Sequence, residues 1–207
     1  VYCGTNEKYN EIWWHYPSAG STINDKYVVY NYLEKLWYYG IWDDNGDGTV
    51  ERSAWFDSHM IGNPIAATGQ ITVQHETGCD NGAVNPPEPI YAYIETSDFD
   101  LGDGGYQFSF VKRLIPDMDF IGSTTLNPSV TMTLKARNYP GQGLYTSSDS
   151  EIVATTSRVS VQVYNYMEDF WIRLRGRQAA FRIGSNSLGV KWQAGVTRLM
   201  VQPDGRR

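Results

Sequence analysis

Cysteine is nearly absent from this 207-residue chain: Cys3 and Cys79 are the only two. Two cysteines cannot build a disulfide framework, and their spacing matches no metal site, so thiols are expected rather than a bridge. Histidine is as scarce. His15, His59 and His75 are scattered, and no His-Ser-Asp or His-Cys pattern forms around them, which removes the common nucleophile–base arrangements. The longest apolar run is a few residues, too short for a membrane-spanning helix. The first residues lack the basic-then-apolar pattern of a leader. Charged residues make up only 19%, too few for a chain kept disordered by self-repulsion. A convincing 3.6-residue stripe is also missing from every window longer than ten residues, so long amphipathic helices are not expected.

What the chain has instead is aromatic mass, with 15 Tyr and 7 Trp, arranged with period two. Residues 11–16, 26–32, 36–40 and 50–56 alternate or run in β-branched and aromatic residues and are separated by short turns. They read as an antiparallel meander. Alternation returns at 71–76. It then breaks over 78–89, where three prolines and two glycines in twelve residues cannot sit in a central strand. Further strands are expected at 90–95, 106–114, 129–137, 158–166, 170–175, 179–183, 190–193 and 197–201. The fold class is all-β: antiparallel meanders, with a partial β-propeller blade region followed by a β-sandwich-like module. The expected division is a blade-like segment over 1–76, a Gly/Pro-rich linker over 77–89, and a C-terminal β-rich module over 90–207.

Charge is uneven. Residues 1–150 hold 8 Lys and Arg against 19 Asp and Glu, a net of −11, while 151–207 hold 9 against 4, a net of +5. An acidic body argues against a protein that grips nucleic acid over its whole surface, since phosphate binding scales with cation count. The basic end suits an acidic neighbour. Its sharpest feature is Arg173, Arg175 and Arg177, which alternate with Leu174 and Gly176. In an extended strand the three guanidinium groups share one face. Such a row must be solvated or matched by acids from another strand or subunit, and it is the candidate interface.

One acidic loop resembles a calcium loop. Counting from Asp43, oxygen ligands fall at Asp43, Asn45, Asp47 and Glu51, with Gly48 at the sixth place, as such loops require. The twelfth place is Ala54 rather than the closing Glu. A hairpin tip that binds calcium weakly or not at all is therefore the preferred reading. The acids cluster at Asp98, Asp100 and Asp103 and again at Asp117 and Asp119, and both clusters sit beside Gly or Pro, as turn acids commonly do. No catalytic residue, cofactor or firm metal site is expected. Trp13 and Trp14 are adjacent, so their indoles take opposite faces of one strand, and one of them must look outward from the core.

The order Glu11-Ile12-Trp13-Trp14-His15-Tyr16, then Tyr30-Asn31-Tyr32, then Trp37-Tyr38-Tyr39-Gly40 resembles a propeller blade. Further on come Ile94-Glu95-Thr96-Ser97-Asp98, Val111-Lys112-Arg113-Leu114-Ile115-Pro116, Arg173-Leu174-Arg175-Gly176-Arg177, Ala180-Phe181-Arg182-Ile183, Trp192-Gln193-Ala194-Gly195 and the ending Pro203-Asp204-Gly205-Arg206-Arg207. This ordered set resembles the C-terminal portion of tail nozzle proteins of short-tailed bacteriophages, also called tail-hub, tail tubular B-type or packaged-DNA-stabilisation proteins. The resemblance implies a propeller joined to further β-rich domains and more blade-like sequence upstream of Val1. It implies a homo-oligomer, a hexamer, in the virion tail. That tube would bind an adaptor or portal-side ring and distal tail proteins, and pass the genomic DNA without stable membrane association. It implies no reaction. The alternative is a carbohydrate-binding or glycan-degrading β-protein of the receptor-binding apparatus, with exposed Trp and Tyr stacking on sugar rings and an Asp pair for any hydrolysis.

Overall fold

The computed structural model describes residues 1–42, 52–57, 62–68, 71–82, 85–139 and 157–205. The fold is all-β and antiparallel, and the chain divides into two compact units, Val1–Glu88 and Pro89–Arg207.

The first unit is built on a four-stranded meander, β1 (Tyr2–Asn6), β2 (Glu11–Tyr16), β3 (Lys26–Asn31) and β4 (Leu36–Ile41), in that spatial order. Local chemistry sets its turns. After β1 a 3-10 turn at Glu7–Tyr9 ends on Asn10, which is left-handed (φ 60°) and returns its N–H to the Glu7 carbonyl at 3.2 Å. Asn tolerates that conformation better than most residues. At the β3–β4 turn, the Asn31 side-chain carbonyl accepts from the N–H groups of Leu33 and Glu34 at 3.1 and 2.8 Å, an Asx turn that reverses the chain. The Tyr-Asn-Tyr signature is thus a turn device, and the tyrosines flank it. Strands β5 (Ala54–Phe56), β6 (Ile65–Thr68) and β7 (Ile71–Gln74) form a second, three-stranded sheet. The meander, which the sequence reads as a blade, is an open sheet with β1 and β4 as its edges, and among the described residues it closes into no barrel or ring of blades.

Period two decides what the blade buries. Along β2, Glu11, Trp13 and His15 are buried, whereas Ile12, Trp14 and Tyr16 are only partly so. Gly4 on β1 lies over Trp55 of β5, and a Cβ there would fall 2.6 Å from the indole Cγ. The close approach lets the Trp55 Nε1–H donate to the Thr5 carbonyl at 3.0 Å.

Two-residue strands β8 (Asp80–Asn81) and β9 (Glu88–Pro89) lie within the segment read as a linker. In the second unit one sheet has the order β10 (Ala92–Glu95), β17 (Gln178–Ser185), β14 (Ser129–Arg137), β15 (Ser157–Tyr164), with β11 (Phe99–Asp100) also paired to β17. The other has the order β16 (Phe170–Gly176), β12 (Ser109–Ile115), β19 (Arg198–Pro203). A small ladder joins β13 (Met118–Asp119) to β18 (Gln193–Ala194). Val130, Met132, Leu134 and Ala136 from β14 meet Val111 and Leu114 from β12, and Ile172 and Leu174 from β16, in one core. Two sheets sharing one apolar layer make a sandwich. Gly176 sits where the chain leaves β16 for β17, and a Cβ there would be 2.8 Å from Ala136 Cβ.

Several expected strands shrink: β7 stops at Gln74 rather than 76, β10 begins at Ala92 rather than 90, and β15 ends at Tyr164 rather than 166. Residues 106–108 precede β12 because the Tyr106 N–H closes a turn onto Asp103. Residues 190–192 stay irregular, with Val190 and Trp192 packing on the core from a loop. At residues 52–53 the expected strand has not begun, and β5 starts at Ala54.

Candidate functional site

The inner side of the blade gathers an aromatic and basic cluster that no sequence motif announced. Trp13 stacks with His15, Tyr27, Trp42 and Trp55 at centroid separations of 6.1, 5.0, 5.9 and 5.4 Å. His15 has no exposed surface and lies against Tyr2 at 4.7 Å. Neither of its ring nitrogens finds a hydrogen-bond partner among the described residues. His75 arrives from beyond β7 and accepts from the Arg52 Nε–H through Nε2 at 3.1 Å. The Arg52 guanidinium lies 4.2 Å from the Trp42 ring centroid, a cation–π contact strengthened by burial.

Burial penalises charge here. It lowers the His15 imidazole to about 4, helped by the Arg52 charge. It lowers His75 to about 3, with Arg52 and then His15 adding to the effect. Burial also brings Arg52 down to about 10, so the guanidinium is charged and both rings neutral at pH 7. Glu11, at the end of the same face, accepts from Trp13 Nε1 at 2.9 Å, from Asn6 Nδ2 at 3.3 Å, and from the Tyr38 hydroxyl. Burial and that carboxylate push the Tyr38 phenol up. The arrangement fixes rings and polar groups inside one unit; it is the blade's packing core.

The opposite face is where the blade meets its surroundings. Trp37 stacks on Tyr30 at 4.5 Å and on Trp14 at 5.7 Å, with interplanar angles of 28° and 25°. Trp37 is 62% exposed and Tyr39 76%. Register places Ile12, Trp14, Val28, Tyr30, Trp37, Tyr39 and Ile41 on this one side of β2, β3 and β4. Ile12, Trp14, Val28 and Tyr30 are half-buried, and Trp37, Tyr39 and Ile41 of the edge strand β4 are exposed; an exposed group of large side chains on one sheet face is unusual for an isolated domain.

The expected calcium loop, Asp43, Asn45, Asp47 and Glu51, lies outside the described residues. Among the described residues no cluster of His, Cys, Asp or Glu could hold a metal ion. The five turn acids are dispersed. Asp98 pairs with Arg137 at 2.7 Å, Asp100 accepts from Gln178 Nε2 at 2.9 Å, and Asp103 opens a 3-10 turn. Asp117 accepts the Val196 N–H at 2.9 Å, and Asp119 the Ile121 N–H at 2.8 Å. No disulfide joins Cys3 and Cys79.

The arginine row is extended as the alternation requires, with Ile172 and Leu174 buried and Arg173 exposed. Arg177 lies one residue past the end of β16. Arg175 meets an acid of its own chain: its Nε donates to the Asp204 carboxylate, and Nη2 to the Asp204 carbonyl at 3.3 Å. The Arg175 and Arg177 guanidinium groups both lie over Phe108, at 4.0 and 4.7 Å from its centroid. Neither a protein-family model nor a curated protein matches this chain.

Proposed function

We propose that the chain is a structural part of a short-tailed phage tail nozzle, a homo-oligomer that walls the DNA-exit conduit and docks neighbouring tail proteins. The observation that carries this reading is the bare outer face of the blade, with Trp14, Tyr30, Trp37 and Tyr39 stacked or exposed on one side of a four-stranded meander. A propeller blade is a sheet that needs large side chains between itself and the next blade. On the inner face Trp13, His15 and Val29 are already buried by their own unit, whereas the outer face carries the exposed Trp37, Tyr39 and Ile41, so the requirement falls chiefly on the outer face. The sequence resemblance supplies the tail context and the six-fold assembly.

Function on this reading is mechanical. Antiparallel ladders make a stiff wall because interior backbone groups are paired. A net charge of −6 lets a polyanion slide, since tight phosphate contacts would hold it. Arg173, exposed on the outward row of β16, is suited to an acidic neighbour, whose carboxylates its planar fork can hold. The chain on this reading binds and seals and performs no reaction, and its partners are the adaptor ring and distal tail proteins. Sedimentation velocity across a concentration series tests it. Reversible self-association that Trp37→Asp abolishes, with an unchanged circular dichroism spectrum, is the expected result; a wild-type chain that stays monomeric at the highest concentrations refutes it.

A further inference from the structure

The second unit contains an open cleft of about 470 Å³, within the ~300–1,000 Å³ of small-ligand sites. It lies at the ends of β14 and β15, where Ser129 and Tyr164 are register partners. The loop before β14 and the loop after β17 complete its walls, contributing Asn127 and Ser187.

Three features define what it can accept. First, every side chain that lines it is uncharged, so a phosphate, a carboxylate or a cation would lose its hydration with no counter-charge in return. Second, its polar groups are hydroxyls and amides, Asn127, Ser129, Gln162 and Ser187, which both donate and accept. Two are held in place: Gln162 Nε2 donates to Ser129 Oγ at 2.9 Å, and the Ser129 carbonyl accepts from Ser185 Oγ at 3.4 Å. Because Ser129 Oγ accepts, its own proton remains to be donated. Third, Tyr164 and Tyr166 stack with centroids 5.4 Å apart and planes within 8°. Tyr166 lies in the turn after β15, closed by the Met167 N–H onto the Tyr164 carbonyl at 3.1 Å, and its ring folds back over that of Tyr164; Tyr166 is 69% exposed, so its ring is open to a ligand.

A ligand that matches all three has an apolar face for the ring, neutral hydroxyls around its edge, and no charge. We propose that this cleft binds a neutral saccharide, a pyranose unit stacked on Tyr166 with its hydroxyls bonded to the Asn127 and Gln162 amides. The inference does not depend on the nozzle reading, because it uses a different unit and different residues from the blade face.

Saturation-transfer NMR and titration calorimetry on the full chain, with maltose, lactose, cellobiose and methyl mannoside as neutral probes, test it against glucuronate and glucose 6-phosphate. At least one neutral sugar should bind saturably, and the two charged sugars should not. Loss of ring stacking in Tyr166→Ala should weaken that binding about tenfold or more, and Asn127→Ala should weaken it as well, both with unchanged circular dichroism. Trp37→Ala should leave it intact. Failure of all four neutral sugars to bind at millimolar concentration overturns the proposal. So does binding that survives Tyr166→Ala and Asn127→Ala, or that disappears in Trp37→Ala, since the sugar would then sit elsewhere.

Discussion

Lowering the pH should destabilise the first unit through His15. The imidazole is fully buried, and its pKa falls from 6.5 to about 4. Above pH 6.5 the ring is neutral whether the chain is folded or not, so stability does not change with pH on its account. Between 6.5 and 4 the unfolded chain takes up a proton that the folded one refuses. Stability must therefore drop as pH falls through that window. A shift from 6.5 to about 4 corresponds to about 3 kcal/mol by pH 4, a large share of the ~5–15 kcal/mol that holds a domain together. His75, lowered to about 3 but partly exposed, acts in the same sense and less strongly than its shift alone implies. Urea unfolding at pH 7.5, 6, 5 and 4.5, followed by tryptophan fluorescence, reads this unit preferentially, because Trp13, Trp14, Trp37, Trp42 and Trp55 belong to it while only Trp171 and Trp192 do not. Carboxylates titrate in wild type and variant alike, so the informative quantity is the difference from His15→Phe. That variant keeps an aromatic ring against Tyr2 and Trp55 and removes the titrating group. It should lose about 2.5 kcal/mol less than wild type between pH 7.5 and 4.5. Parallel loss in the two proteins would mean that His15 stays accessible to protons in the folded unit.

Gly4→Ala places a methyl 2.6 Å from the Trp55 Cγ, and that indole is wedged against Trp13 and His15 at 5.4 and 5.2 Å. The expected cost is about 1–3 kcal/mol, read as a lowered thermal midpoint; an unchanged midpoint would mean the indole moves freely. Arg175→Ala removes a half-exposed ion pair with Asp204 and the stacking on Phe108. It should cost no more than about 1 kcal/mol and should speed amide exchange in β19, and exchange identical to wild type would contradict that role.

Strands β2 and β14 have the bounds that alternation indicates, and β3 and β4 differ from their expected ends by one residue. In β2 and β14 residues of contrasting burial alternate along the strand and one face is buried; β3 and β4 are legible instead as runs of aromatic and β-branched residues bounded by turns. Strand β6, Ile65–Thr68, carries Ala66 and Thr68 inward, and side chains this small leave no visible period. Residues 190–192 look like a strand because Val190 and Trp192 are apolar. Their burial comes from packing on the sandwich, and the backbone makes no ladder there. The opposite faces of Trp13 and Trp14 were legible from adjacency alone. The meeting of His15, Arg52 and His75 was not, because it depends on two sheets coming together within the unit. The one local hint was that His15 shares the Trp13 face, two residues on. The arginine row was legible as a row, while its acid was not, since Asp204 comes from beyond the end of β19. The Tyr164–Tyr166 pair stands two residues apart in plain view, with Gln162 on the same strand, yet Asn127, Ser129 and Ser187 come from segments distant in the chain.

In the nozzle reading the outer aromatic face of the blade is a contact surface. Negative-stain imaging of the concentrated chain addresses it most directly. Ring-shaped particles with six-fold symmetry, lost in Trp37→Asp, are the predicted result. A field of monomers, or rings that persist unchanged in Trp37→Asp, would contradict it.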